Sequence, residues 1–154
     1  MLYLLVGIIV FVVFVVIMYK SKVKKASAEM MNNANEAIND AQQNFKIELD
    51  YSEKSIESVD TILQSFHENH EKDKTEVDIT NVSRIYGSYI GEVVKRNSQY
   101  ATWLIKRDPE TGNTTYKLKV DSADMFPVDL CRKRIENGSE DNIVHKLNVM
   151  KSVA

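Results

Sequence analysis

Residues 1–19 read MLYLLVGIIVFVVFVVIMY and contain no charged side chain. At about 1.5 Å of rise per residue, a helix of this length spans about 28 Å, close to the roughly 30 Å hydrocarbon core of a bilayer. A lone apolar segment can cross lipid only as a helix, because each backbone N–H and C=O must find its partner within the segment. We therefore predict a transmembrane anchor over residues 1–19, whose apolar side chains include Leu2, Ile8, Phe11 and Phe14.

Four lysines follow the apolar stretch within six residues, and no lysine or arginine precedes it: Lys20, Lys22, Lys24 and Lys25. By the positive-inside rule, this asymmetry places the rest of the chain in the cytoplasm and the N-terminus outside. A secretory signal peptide would have a basic start and a small-residue cleavage site soon after the apolar core. The candidate triplet 26–28 lies behind the lysines, which favours an uncleaved single-pass anchor in the inner (plasma) membrane.

The length of the chain limits its organisation. Of its 154 residues, about 105 remain for a folded unit after an anchor and a polar connector, and that number suits one domain. We predict three segments: an anchor over 1–19, a basic juxtamembrane segment with a helical stalk over 20–48, and a cytoplasmic domain over 49–154.

Charge and cysteine content narrow the class of partner. After Lys25 the chain carries 16 basic residues against 22 acidic ones. Nucleic acid is therefore not an expected partner, because binding it depends on Lys and Arg that neutralise phosphates. The single cysteine, Cys131, has no second cysteine with which to form an internal disulfide. The expected partners are the lipid bilayer and an unknown protein.

The predicted stalk has a narrow apolar stripe. Its members are spaced four, four, three and four residues apart: Met30, Ala34, Ile38, Ala41 and Phe45. This spacing predicts a helix. A stripe made largely of alanine buries little area, so we expect a partly exposed stalk that acts as a solvated spacer. The alternative is a homo-oligomer that pairs through residues 30–45, although fewer than three clean heptads are present.

The remaining sequence alternates between two periods. Apolar residues at helical spacing recur over 56–66, 82–94, 128–135 and 143–150. Residues 100–105 and 114–120 instead alternate in polarity on either side of a turn that contains Pro109 and Gly112. We predict an α+β fold, in which a transmembrane helix and a stalk helix precede a small domain of about four helices with an antiparallel β-hairpin or short sheet.

Two glycines, Gly87 and Gly91, lie four residues apart within the most regular helical stretch. Each costs about 1 kcal/mol relative to alanine, so close packing by another element is expected to compensate. We predict a notch here that receives a strand or the preceding helix. A phosphate site is not predicted, because such glycines belong in a loop after a strand.

Motifs for hydrolase, P-loop, zinc-protease and paired-cysteine chemistry are absent from the sequence. We accordingly predict no catalytic, cofactor-binding or metal-binding residues. Three positions are candidates for partner contacts: Glu92 beside the notch, Trp103 on a strand, and Arg132 in the cationic run 132–134. The run also suits the C-terminal dipole of a helix, or an anion site. Glu92 equally suits a solvated helix face, and Trp103 a core position.

From Leu49 onward the order of motifs resembles an uncharacterised bacterial domain family. The features that carry the resemblance are DYSEKSIESVD at 50–60, YGSYIGEVVKRN at 86–97, a strand with Trp103, a hairpin, and FP at 126–127 followed by KRIENG at 133–138. The resemblance implies a small α+β fold over residues 49–154. It implies no established activity and no catalytic residues.

Together these features favour a membrane-anchored protein-interaction module that faces the cytoplasm, as an accessory or immunity-type component at the inner membrane. Two other classes stay open. One is an enzyme with an unrecognised site around Glu92, Trp103 and Arg132, which requires a deep polar pocket joining all three. The other is a structural protein that oligomerises through its stalk.

Overall fold

The computed structural model describes the backbone of residues 2–153 and the side chains of residues 6–149. Its first element, α1, is one helix of 39 residues, Leu2–Asp40. A π-helical turn, Ala41–Phe45, extends it, and Lys46 ends it in the left-handed region with φ 60°. The apolar stretch and the predicted stalk are thus parts of a single helix.

Four further helices and three strands follow: α2 (Ser55–Lys72), α3 (Ile79–Arg96), β1 (Ala101–Arg107), β2 (Thr114–Val120), β3 (Ala123–Met125), α4 (Pro127–Asn137) and α5 (Ile143–Val153). The predicted α+β fold is confirmed. Local chemistry explains several boundaries. The carboxylate of Asp78 accepts a hydrogen bond of 3.0 Å from the N–H of Asn81, which caps α3. Pro127 starts α4, where its missing N–H costs nothing.

The strands form one antiparallel sheet in the order β1-β2-β3. Trp103 is paired with Leu118, and Leu118 with Met125. All three side chains are buried, and because side chains alternate across a strand they lie on one face. The opposite face carries Lys117 and Lys119, so the sheet covers the helices with one face and meets water with the other.

The first half of α1 has no cover within the fold. Every large apolar side chain from Ile8 to Tyr19 is exposed. Among the described helices, α1 is the one that is long and apolar enough to span a membrane, judged by length and composition. None of its most apolar window is buried.

The second half of α1 belongs to the core. Four of its side chains are at most 3% exposed, namely Ala26, Met30, Ala34 and Ala37, and so is Ala41 in the π-helical turn. The expectation of a solvated spacer is therefore wrong. Small side chains bury little area each, but they let a second element approach the backbone closely, and α3 is the element that α1 contacts most extensively. Ile38 and Phe45 also pack against the core.

Polar contacts fix the direction in which α3 crosses α1. Arg84 binds Asn33 and contacts Glu36 at 3.3 Å, whereas Ser88, one turn later in α3, donates to the sulfur of Met30 at 3.3 Å. Higher numbers on α3 thus meet lower numbers on α1, and the two helices are antiparallel. The C-terminal end of α3 consequently points the same way as the apolar half of α1.

Helix α2 is antiparallel to α3 as well. At one end the hydroxyl groups of Ser55 and Tyr89 are 2.6 Å apart. At the other end the rings of Phe66 and Tyr86 have centroids 6.2 Å apart. The start of α2 therefore lies at the same end of the domain as the apolar segment, and the loop between α2 and α3 lies at the opposite end.

Candidate functional site

The two glycines of α3 lie where neighbouring elements come closest to the helix. A Cβ atom on Gly87 would be 2.5 Å from the Cα of Val128, in the first turn of α4. A Cβ atom on Gly91 would overlap the indole ring of Trp103. The notch is thus occupied by the backbone of α4 and by a side chain of β1, and no room is left for a ligand.

Glu92 and Trp103 contact one another inside the core. The indole Nε1–H of Trp103 donates to the Oε1 of Glu92 at 2.8 Å, and the ammonium group of Lys95 lies 3.2 Å from the same oxygen. Glu92 is 1% exposed and Trp103 is fully buried. Neither side chain is therefore available to a partner at the surface, which corrects the expectation for both. The buried carboxylate is satisfied by an indole and an ammonium group.

Arg132 lies elsewhere, on the exposed side of α4. Its guanidinium group is 3.3 Å from Asp129 and 3.3 Å from Glu136, both on the same helix. The structure therefore brings two of the three candidate residues together and leaves the third apart. The two hollows described below are lined by none of the three.

A buried polar cluster centres on the carboxylate of Asp60 in α2. It accepts hydrogen bonds from Arg134 Nε at 2.9 Å and Nη2 at 3.1 Å, from Asn142 Nδ2 at 2.9 Å, and from the backbone N–H of Ile143 at 2.9 Å. Arg134 is 3% exposed and Asp60 8%. The cluster ties α2 to α4 and to the start of α5. Its bidentate geometry is the arrangement that best offsets the cost of burying two charges.

Sequence reasoning missed this cluster because Arg134 was grouped with two neighbouring cations. A signal was available in the sequence: Arg134 follows Cys131 by three residues and precedes Ile135 by one, so it lies on the inward face of α4. The acidic partner is 74 residues away, and its position on the inner face of α2 beside Val59 was the second signal.

Chemically, the interior offers structural groups. Burial raises the pKa of the Cys131 thiol far above its usual range, so the thiol stays protonated and unreactive. Burial also raises the pKa of Tyr86, whose hydroxyl donates to Asp40 at 2.5 Å. His67 is engaged with the carbonyl of Ile135 at 2.7 Å. Within the described residues, no three His, Cys, Asp or Glu side chains are grouped to hold a metal ion.

The described side chains of the predicted anchor are exposed on the surface of α1. Ile8, Phe11 and Phe14 are all more than half exposed, and the side chain of Leu2 lies outside the described residues. The four juxtamembrane lysines are exposed on the next turns of the same helix. Val23, between them, is already partly buried. The folded domain therefore begins within about two turns of the last apolar residue.

Two hollows open on the surface of the domain. One, of about 350 Å³, lies between the start of α2, the end of α3 and α5, and includes Ile56, Val93 and Leu147. The other, of about 190 Å³, lies where β3 meets α4. Phe126, which is 37% exposed, and Leu130 form its apolar part, and Asp124, Asp129 and Lys133 complete its lining.

Comparison with known proteins identifies a family. A family model described as uncharacterised protein YwmA matches residues 20–147. The resemblance to an uncharacterised family is therefore confirmed, but the match begins at residue 20 and not at 49. It includes the second half of α1, in agreement with the burial of that segment in the core. Neither the curated proteins nor the solved structures contain a significant match to this chain.

The Asp60 cluster yields a stability prediction. Replacing Asp60 by Ala leaves the guanidinium group of Arg134 buried without its counter-charge, so we expect the free energy of unfolding to fall by about 3–5 kcal/mol. The matched control is Asp129→Ala, which removes an exposed partner of Arg132 and should cost about 0–1 kcal/mol. Chemical denaturation of both full-length variants in detergent micelles measures the difference. Equal losses would contradict a structural role for the buried pair.

Proposed function

We propose that this chain, which belongs to the family described as uncharacterised protein YwmA, is a single-pass membrane protein whose folded domain binds another protein at the cytoplasmic face of the inner membrane. One observation carries the membrane part of the proposal. The apolar half of α1 exposes a continuous cylinder of Val, Ile and Phe side chains that no other part of the described chain covers.

The energetic argument for lipid is direct. Complete burial of a Val, Ile or Phe side chain in an apolar medium is favoured over exposure to water by about 1.5–3 kcal/mol. More than ten Val, Ile and Phe side chains on this half of α1 are 45–66% exposed. A coiled-coil partner would cover one stripe of the helix, whereas the exposed residues surround it, and only lipid covers all sides.

The orientation rests on the lysines. All four lie on the same side of the apolar segment, where the positive-inside rule assigns the cytoplasm. In this orientation the N-terminus is outside and the domain is cytoplasmic. The buried Cys131 is in keeping with a reducing compartment, because the chain has no disulfide to form.

The surface favoured for a protein partner is the outer side of α4. Phe126 is an exposed aromatic residue beside a small hollow, and Arg132 and Lys133 on the same helix are exposed. Aromatic and arginine side chains supply much of the binding energy in protein interfaces. Of the three residues predicted as partner contacts, Arg132 is the one that lies on this surface. An accessory or immunity-type role is the class of function that this arrangement suits.

The two competing classes lose support from the same coordinates. The enzyme hypothesis needs Glu92 and Trp103 at a pocket, and both are buried against each other. The oligomer hypothesis needs the stripe over 30–45, whose side chains pack within the core of the same chain.

Topology is tested with an introduced cysteine. In Glu76→Cys, an exposed position in the loop between α2 and α3 gains a thiol, while the native Cys131 stays buried and protonated. A membrane-impermeant maleimide should leave intact spheroplasts unlabelled and should label the variant once the membrane is permeabilised. The unmodified chain is the control and should react only after denaturation. Labelling of Glu76→Cys from outside would reverse the proposed orientation.

Partner binding is tested by site-specific photo-crosslinking in living cells. A photoreactive amino acid in place of Phe126 should give one discrete adduct of higher mass, and the same amino acid in place of the exposed Lys74 should give none. The adduct should be lost in Arg132→Glu, because a partner that contacts the Arg132 guanidinium group is repelled by the reversed charge. Absence of a discrete adduct at Phe126, or equal adducts at both positions, would overturn the binding proposal.

A further inference from the structure

The antiparallel packing of α3 on α1 brings a second part of the chain to the level of the membrane. Ser88 lies against Met30. From there α3 continues for eight residues to Arg96, and α1 extends back eight residues to Lys22. Both paths rise by about 12 Å in the same direction. Arg96 is therefore level with the juxtamembrane lysines, and the turn at 97–100 reaches the level at which the apolar segment ends.

An aromatic side chain stands out at this turn. Tyr100 is 67% exposed, which is the largest exposed fraction among the large apolar and aromatic side chains that the structure describes. Its backbone is held in place, because its carbonyl accepts a hydrogen bond of 2.9 Å from the N–H of Asp121. Tyrosine has an apolar ring and a polar hydroxyl group, and it is enriched where hydrocarbon meets headgroups.

The charges of the domain are segregated along the same axis. The end that bears the turn comprises residues 20–26, 50–54, 95–100 and 121–122. It carries seven basic residues against three acidic ones: Lys20, Lys22, Lys24, Lys25, Lys54, Lys95 and Arg96, and Asp50, Glu53 and Asp121. The opposite end, residues 68–78, carries five acidic residues against two basic ones. Four of the seven basic residues are the lysines of α1, so the difference between the two ends comes from α1 and from the acidic residues at 68–78. An acidic end is directed away from an anionic surface.

The side chain of Arg96 folds back from this end of the domain. Its guanidinium group lies 3.4 Å from the centroid of the Tyr51 ring, and that ring is stacked on Tyr89 at a centroid distance of 4.9 Å. The hydroxyl group of Tyr51 donates to Asn35 of α1 at 3.2 Å. The loop before α2 is thus packed against both α3 and α1.

From these observations we propose that the α3–β1 turn is a second membrane contact, in which the ring of Tyr100 enters the interfacial layer of an anionic bilayer at the level of the lysines at 20–25. The inference rests on the proposed function, since it requires α1 to span the membrane. It gives the domain a fixed orientation relative to the bilayer, with the acidic end and its loop at 68–78 directed into the cytoplasm.

The experiment compares three single-cysteine positions on the full-length chain in vesicles. Each variant carries Cys131→Ala and one new cysteine, namely Phe14→Cys in the anchor, Tyr100→Cys at the turn, or Glu76→Cys at the far end. Each thiol is labelled with an environment-sensitive fluorophore, and the protein is reconstituted into vesicles of phosphatidylcholine and phosphatidylglycerol that contain lipids spin-labelled near the headgroup or deep in the chain.

We expect the probe at position 14 to be quenched most strongly by the deep spin label, the probe at 100 by the shallow one, and the probe at 76 by neither. Replacing phosphatidylglycerol by phosphatidylcholine should weaken the quenching at 100 and leave that at 14 unchanged. Quenching at 14 with none at 100 would overturn this inference while the membrane anchor stands. Absence of quenching at 14 would overturn the proposed function, and this inference with it.

A probe at position 100 could enter the interface because of its own hydrophobicity, so a second measurement keeps Tyr100 and moves the probe to the neighbouring position. Two variants are compared: Gln99→Cys with Tyr100 intact, and Gln99→Cys with Tyr100→Ser. Quenching of the probe at position 99 by acrylamide reports whether Tyr100 holds the turn in lipid. Tyr100→Ser should increase the acrylamide accessibility of position 99 in anionic vesicles but not in detergent-free vesicles of pure phosphatidylcholine. Equal accessibility with and without Tyr100 would contradict the contact.

Discussion

Helix α1 packs on α3 more extensively than on any other element, and most of the architecture depends on that contact. Ala26, Ala34 and Ala37 of α1 are at most 3% exposed, and their small side chains let neighbouring elements approach the helix closely. The same helix has no Pro and no described interruption between its apolar half and its packed half. A single rigid element thus belongs both to the proposed membrane span and to the core of the domain.

This continuity changes what an anchor does. A flexible tether of 25–30 residues would let a domain sample many orientations, with an end-to-end distance that grows as the square root of its length. If α1 spans the membrane as proposed, a continuous helix fixes both the height and the direction of the domain relative to the bilayer. The proposed partner then meets a defined side of the protein, which includes the outer side of α4.

Two largely buried ion pairs stabilise the packing inside the domain. The Asp60–Arg134 pair and the Glu92–Lys95 pair are both largely withdrawn from water, and each carboxylate has further donors, from Asn142 and Ile143 in one case and Trp103 in the other. Buried ion pairs add little net stability relative to apolar residues of the same volume, but breaking one is costly. The Asp60–Arg134 pair holds α2, α4 and the start of α5 in one arrangement, whereas Glu92 and Lys95 both lie on α3 and the hydrogen bond from Trp103 joins them to β1.

The sequence predicted the parts of this fold that leave a periodic trace. Helical spacing in residues 82–94 and alternation in residues 114–120 located α3 and β2, and the Gly87–Gly91 pair indicated that neighbours approach α3 closely. That an indole and the first turn of α4 fill the notch could not be predicted, because long-range contacts leave no local pattern. The stalk was misjudged for a related reason: an alanine stripe looks weak when only its buried area is counted, and its value appears when a second helix lies against it. Trp103 occupies the core position that its strand suggested. Glu92 and Arg134 were misplaced because a charged side chain on a helix does not reveal its burial.

Helix α1 is one uninterrupted helix that joins the proposed membrane span to the core. Amide hydrogen exchange of the full-length protein in lipid nanodiscs tests it most directly, at residues 20–26 between the two halves. We expect slow amide exchange at residues 20–26, comparable to that of residues 30–37. Exchange at the rate of an unstructured peptide over 20–26, with protection on both sides, would show a flexible linker and would contradict the fixed orientation of the domain.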